Sequence, residues 1–285
     1  VVRGLVSRVS TTEERSGSII SVFQAKGGVG ATLLAANLAG ALLEGGKRVV
    51  LVDLDLQLGD ALVFLDMTAR YTLTEVLENM QRLDRELLFA SLAQHSSGLY
   101  VLSQGDRLEE ADRVTPQELS TLLRFLARHF DYVVCDGLRG FDERSIAALD
   151  ASHRVLLTLA QNVPAIKNAQ RCLDMFNRFG YGEDKVKLVV NRHLKSAKID
   201  LQAMTDTLGF GISGVIGNDY PTVIEAINRG LLLRDAAPRS KVTDDVRRIA
   251  LSLSGAAPKQ SGGLLRSLFT KSGENNEPHR APQAS

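Results

Sequence analysis

The sequence carries almost no surplus of charge, almost no cysteine and no long apolar run, and each shortage removes a class of protein. Its 34 Lys and Arg stand against 33 Asp and Glu, a formal net charge of +1 over 285 residues, so no global field draws it to nucleic acid. Cys135 and Cys172 offer neither a disulfide framework nor a metal-binding spacing. They fit a reducing cytoplasm, and their apolar neighbours mark them as buried, inert thiols. No stretch of about 18 apolar residues is present, so no segment reads as a membrane-spanning helix. The opening residues do not form a signal peptide, and a first residue of Val1 rather than Met is read as the sign of a fragment with a domain upstream.

What is there is a chain of 44% hydrophobic content, enough for one large α/β domain with tails. Residues 1–17 are polar and read as a linker. Residues 18–254 alternate short apolar runs with amphipathic stretches. After Gly255 the composition turns to Ala, Pro, Ser, Gly, Asn and Glu, the signature of a disordered tail over 255–285. One island interrupts that tail at 262–271, where Leu264, Leu265, Leu268 and Phe269 share a helical face.

The stretch from Ser21 to Thr32 organises the rest. A strand over Ile19–Phe23 runs into Lys26-Gly27-Gly28-Val29-Gly30-Ala31-Thr32, and a small-residue helix follows from about Thr32 to Leu43. Glycines let the backbone curl around an anion, with N–H groups and the positive end of a helix dipole facing it. Thr32 stands where the loop Ser/Thr of such sites holds Mg²⁺. The bland alternative is a strand-to-helix turn without a ligand.

A second strand, Val49–Asp53, leads into Asp53-Leu54-Asp55, two carboxylates at the carboxyl edge where open α/β sheets bind ligands. A third, Asp131–Asp136, is apolar and ends in an acid suited to a Mg²⁺ shell. Further strands are expected at Leu99–Leu102, Arg154–Leu159, Val186–Asn191 and Ser213–Ile216. Helices are expected within Leu73–Leu92, after Thr115-Pro116-Gln117-Glu118 (a capping box), from Pro164 to Phe179, after Asn218-Asp219-Tyr220-Pro221, and over Val242–Leu253 with Thr243 as cap. The alternation predicts an α/β fold: a doubly wound, mainly parallel sheet with helices on both faces.

The loop resembles the deviant Walker A motif of the MinD/ParA ATPases, K-G-G-x-G-K-[ST], with one departure: Ala31 replaces its second lysine. The resemblance covers roughly residues 18–254. It implies ATP or ADP with Mg²⁺ as cofactors, bound by Lys26, Gly27, Gly28, Val29, Gly30, Ala31 and Thr32. Thr32, Asp53 and Asp136 would serve the metal, Asp53 through water. Asp55 would orient the attacking water, and Lys26 would reach the partner's nucleotide across a homodimer formed through the nucleotide face. Gly137-Leu138-Arg139-Gly140 would sense the γ-phosphate. Asn191 resembles the adenine-reading residue, and Asn218-Asp219 the adenine-side loop. Val52–Asp60 and Asp219–Gly230 look most like the TadZ/CpaE branch, which implies a role with the assembly machinery of Flp/Tad (type IVb) pili, or in polar localisation, for a cytoplasmic protein. Losing a charge at position 31 implies weak or absent hydrolysis. The island at 262–271 is similar to the membrane-targeting segment of MinD, which implies peripheral contact at the inner face of the membrane; the alternative is a patch docking on protein.

Three other classes fit parts of the sequence. A ParA-like DNA-binding or flagellar-placement ATPase is the alternative, with Arg239, Lys241, Arg247 and Arg248 as its phosphate contacts. A solvated helix face accounts for those residues more simply, so DNA is not expected as a partner. A reductase similar to nitrogenase iron protein needs cluster-ligating cysteines, and Cys135 sits inside a strand. A scaffold that binds no nucleotide remains as the third.

Overall fold

The computed structural model describes residues 16–104 and 108–254. The linker expected over 1–17 lies almost wholly outside them, and the tail at 255–285 entirely outside.

Eight strands form one sheet. In chain order they are β1 (Ser18–Gln24), β2 (Val49–Asp53), β3 (Ala93–Gln94), β4 (Tyr100–Leu102), β5 (Tyr132–Leu138), β6 (Arg154–Ala160), β7 (Val186–His193) and β8 (Ile212–Gly217). Their spatial order is β3-β4-β2-β5-β1-β6-β7-β8. All neighbours pair parallel except β3, which runs antiparallel to β4 at the edge. The doubly wound, mainly parallel sheet expected from the sequence is the sheet observed.

Alternation along β1 shows why its run is continuously apolar. Ile19 and Phe23 enter one core layer, Ile20 and Val22 the other, so both faces are dry. The first layer lies under α3 (Leu73–Glu78), α4 (Arg85–Ser91), α5 (Pro116–His129), α6 (Glu143–Ala151), α7 (Val163–Arg178) and α8 (Leu201–Leu208). The second lies under α1 (Ala31–Leu42), α2 (Ala61–Phe64), α9 (Tyr220–Asn228), α10 (Leu233–Ala236) and α11 (Lys241–Leu253).

Helix α1 is buried along ten of its twelve residues, between the sheet and the C-terminal helices. Its alanines and Gly40 permit that approach: a Cβ at Gly40 would lie 2.7 Å from Leu232 Cδ1. Buried Asn37 is satisfied at both ends, donating to the Leu33 carbonyl and accepting from Leu233 N–H at 2.7 Å. Arg234 Nη1 donates to the Gly40 carbonyl at 2.7 Å. These bonds fasten α1 to α10.

The capping box at the start of α5 is present, with Thr115 and Glu118 bonding reciprocally. At α11 the expectation is corrected. Ser240 is the cap, accepting from Thr243 N–H, while the Thr243 hydroxyl is buried and shares its one proton between the Ala237 carbonyl at 2.8 Å and the Leu233 carbonyl at 3.3 Å. No helix among the described residues is long and apolar enough to cross a membrane. Burial raises the Cys135 thiol to about 12 and the Cys172 thiol to about 11, which keeps both protonated and unreactive.

Candidate functional site

A cleft of about 420 Å³ opens at the carboxyl ends of the central strands. Gly27, Gly28, Gly30, Ala31 and Thr32 form one wall; Asp53, Asp55, Asp136 and Gly137 form another; Arg139 and Arg192 stand at its sides. The chain turns into α1 through Gly28 at φ 78° and Gly30 at φ 84°, conformations that glycine adopts without strain. Gly30 offers no side-chain cap to α1. The first N–H groups of that helix are therefore left for a ligand or water.

The loop is braced from behind. Asn191, 2% exposed, donates from Nδ2 to the Val29 carbonyl at 2.8 Å, and its Oδ1 accepts from Arg192 N–H at 2.9 Å. Asn191 is not among the residues lining the cleft; the structure shows it bracing the loop rather than facing a base. A Cβ at Gly30 would lie 2.5 Å from Asn191 Nδ2, which makes glycine a packing requirement there as well.

Asp53 and Asp136 are register partners on adjacent strands, each 1% exposed. Asp53 spends both oxygens on backbone: Oδ1 accepts from Asp55 N–H at 3.0 Å and Oδ2 from Ala61 N–H at 3.1 Å. Asp136 lies beside Thr32, close enough for the hydroxyl to favour its charged form, and its Oδ1 is buried without a partner. Burial, reinforced by the Asp136 charge, pushes Asp53 up to about 7; burial pushes Asp136 up to about 6 against the Thr32 hydrogen bond. A hydroxyl beside an unpaired carboxylate oxygen is a hard oxygen donor set of the kind Mg²⁺ takes. Thr32 and Asp136 thus fit the metal directly. Asp53 is too committed to backbone to serve except from behind.

Asp55 is half-buried in the cleft wall and already paired. Arg139 grips it with both guanidinium nitrogens, Nη1 to Oδ2 at 3.2 Å and Nη2 to Oδ1 at 3.4 Å. Leu58 N–H also donates to Oδ1 at 3.2 Å. Lys26 is exposed and does not line the cleft, and Val29 is buried with its carbonyl turned to Asn191. Asn218 and Asp219 stand outside the lining: the Asn218 N–H bonds the His193 carbonyl, and Asp219 caps α9. Arg192, a neighbour of the loop that sequence reading did not assign, has φ 55° and places its Nε about 4.0 Å from a Cβ built at Gly30.

Of the four cations near the last helix, Arg239 is exposed and the other three are ion-paired. Lys241 and Arg248 both bind buried Asp245, and Arg247 binds Glu44 and Asp244.

Comparison with known proteins agrees with this geometry. The family model described as an AAA domain matches residues 17–188. The septum site-determining protein MinD of Thermotoga maritima is 28% identical over 222 residues, which span 75% of this chain and 80% of that protein. A ParA family ATPase from Chlorobium tepidum superposes with a TM-score of 0.78 at 24% identity, over 84% of this chain and 99% of its own. MinD of Pyrococcus horikoshii, solved with Mg-ADP, superposes with a TM-score of 0.71 at 23% identity, over 83% of this chain and 96% of its own.

Proposed function

The chain belongs to the AAA-domain family and has the fold of the MinD/ParA-type P-loop ATPases, and from that premise we propose that it is an ATP-dependent dimerising switch that turns over slowly or not at all. One observation carries this: Thr32 and Asp136 meet at the mouth of a glycine nest whose position 31 offers only a buried methyl group.

ATP binds through the N–H groups of the loop from Gly28 to Thr32 and the dipole of α1. Thr32 and Asp136 would hold Mg²⁺, which would supply neutralisation of phosphate charge. The Asp136 Oδ1 left without a hydrogen bond would be satisfied by such an ion. Asp53 holds Asp55 N–H and the start of α2 in place. With no lysine at 31, a charge is missing where phosphoryl transfer develops it, a loss on the order of 10²–10³ in rate. Binding suffers less, because the nest remains. Lys26, exposed and outside its own cleft, is free to reach a second copy. Leu58, Val163, Leu194 and Tyr220 are 70%, 54%, 48% and 64% exposed around the same carboxyl edge, apolar surface that a homodimer through this face would cover.

The finer assignment, action with Flp/Tad pilus machinery or at the cell pole, is supported by the wording of Val52–Asp60 and Asp219–Gly230. The ion pairing of Lys241, Arg247 and Arg248 weighs against the DNA-binding alternative. The membrane-contacting segment proposed at 262–271 lies outside the described residues; liposome sedimentation with and without it tests that contact.

Titration with a fluorescent ATP analogue, with light scattering in ATP and in ADP, tests the switch. Saturable, Mg²⁺-dependent binding and a larger mass in ATP are expected. No binding, or the same mass in every nucleotide, overturns it.

A further inference from the structure

The cleft lacks a lysine in its loop but not positive charge. Among the described residues lining it, the cations are Arg139 and Arg192. Arg139 follows β5 directly and is fixed there by the shape of the backbone. Gly137 has φ 83°, and a Cβ on it would lie 2.2 Å from Asp55 N, so the segment bearing Arg139 is pressed against the loop bearing Asp55. The Arg139 side chain remains 54% exposed and Asp55 15% exposed. The guanidinium is therefore held on the cleft wall by one carboxylate while keeping one side open to solvent.

We propose that Arg139 supplies the phosphate-contacting cation that Ala31 cannot, and that in the empty protein Asp55 holds it in reserve. This rests on the nucleotide-binding reading above and assigns a further residue to it. A guanidinium fork pairs with a phosphate as readily as with a carboxylate. A terminal phosphate entering the cleft competes with Asp55 for the same nitrogens. When it wins, two things change together: the phosphate gains a charge-assisted partner, and Asp55 loses its ion pair and becomes available to water. A nucleoside diphosphate, one phosphate shorter, leaves the pair intact. The pair thus discriminates between nucleotides by the charge at their far end, and ATP alone unlocks the loop over 53–60. Arg192 is set apart from this role by its place beside Asn191 and Gly30, on the opposite flank from Asp55.

The test measures affinity of the full chain for labelled ATP and ADP with Mg²⁺, by fluorescence anisotropy. Arg139→Ala is expected to weaken ATP about tenfold, the scale of one lost hydrogen-bonded charge contact, and to change ADP less than about twofold. Arg139→Lys should recover part of the ATP affinity, and adding Ala31→Lys to Arg139→Ala should restore most of it. Asp55→Asn should tighten ATP more in the wild-type background than in the Arg139→Ala background, because only in the first does it release a captive cation. Equal loss for ATP and ADP on Arg139→Ala would mean a structural role and overturn the proposal. So would the ATP-selective loss appearing on Arg192→Ala instead, or no loss on either. Failure of the wild-type chain to bind any nucleotide removes the switch reading together with this one, whereas ATP binding indifferent to Arg139 removes this one alone.

Discussion

At residue 31 a methyl group faces a cleft in which the resembled loops carry an ammonium. Ala31 is 6% exposed and begins α1, so a lysine there would project from a fixed backbone toward the bound phosphate. Ala31→Lys should raise ATP hydrolysis by on the order of 10²-fold, measured as phosphate release. No rise would show that another catalytic part is also missing. The two buried acids give a second prediction, for the protein without metal. Asp136 has a folded value of about 6 against an ordinary 3.8, and Asp53 about 7. Below their ordinary range both states are protonated and the acids contribute nothing. As pH rises through about 4 to 7 the unfolded chain ionises first, so these residues progressively destabilise the fold, and the penalty is complete above 7. Asp136→Asn should therefore raise stability at pH 8 by on the order of 2 kcal/mol, with the gain shrinking toward zero near pH 4, read by urea denaturation without Mg²⁺. The residue types at this site were legible in sequence because strand ends and glycine spacing mark them. The grip of Arg139 on Asp55 was not, since it joins residues 84 positions apart. Nor was the bond from Asn191 to the Val29 carbonyl, which depends on where the loop passes.

Among the elements, long and strongly patterned ones were readable and short ones were not. The stripe of α5 and its capping box announce the helix, and the apolar runs of β2 and β5 announce parallel strands. The four-residue α2 and α10, and the two-residue β3, exist only because tertiary packing places them, and no local pattern records that. Thr243 misled for a related reason: it has the right chemistry for a cap, but Ser240 precedes it and packing turns the threonine inward. The turn after β5 offers a test at this scale. Gly137→Ala places a methyl group into Asp55 N and imposes a left-handed φ on alanine. It should cost more than about 2 kcal/mol. Gly45→Ala, at φ 77° with open space around it, should cost only about 1 kcal/mol from backbone strain. Equal midpoint shifts in urea would show that the contact with the Asp55 loop adds nothing.

Across the whole molecule, alternation of strands and helices made the doubly wound sheet predictable from the sequence, while its strand order is set by packing. The burial of α1 beneath α10 and α11 was not predictable, because it depends on which helices share a face. The bonds from Leu233 to Asn37 and from Arg234 to Gly40 span 196 and 194 residues. During translation, then, the loop and α1 leave the ribosome well before the residues that anchor them. Nascent chains arrested with Leu232 still inside the ribosome should not retain labelled ATP, while chains whose residues through Ser254 have emerged should. Retention by the shorter chains would show that the nest sets without its far anchor. Otherwise, nucleotide capture waits until the helices that pin α1 have left the ribosome.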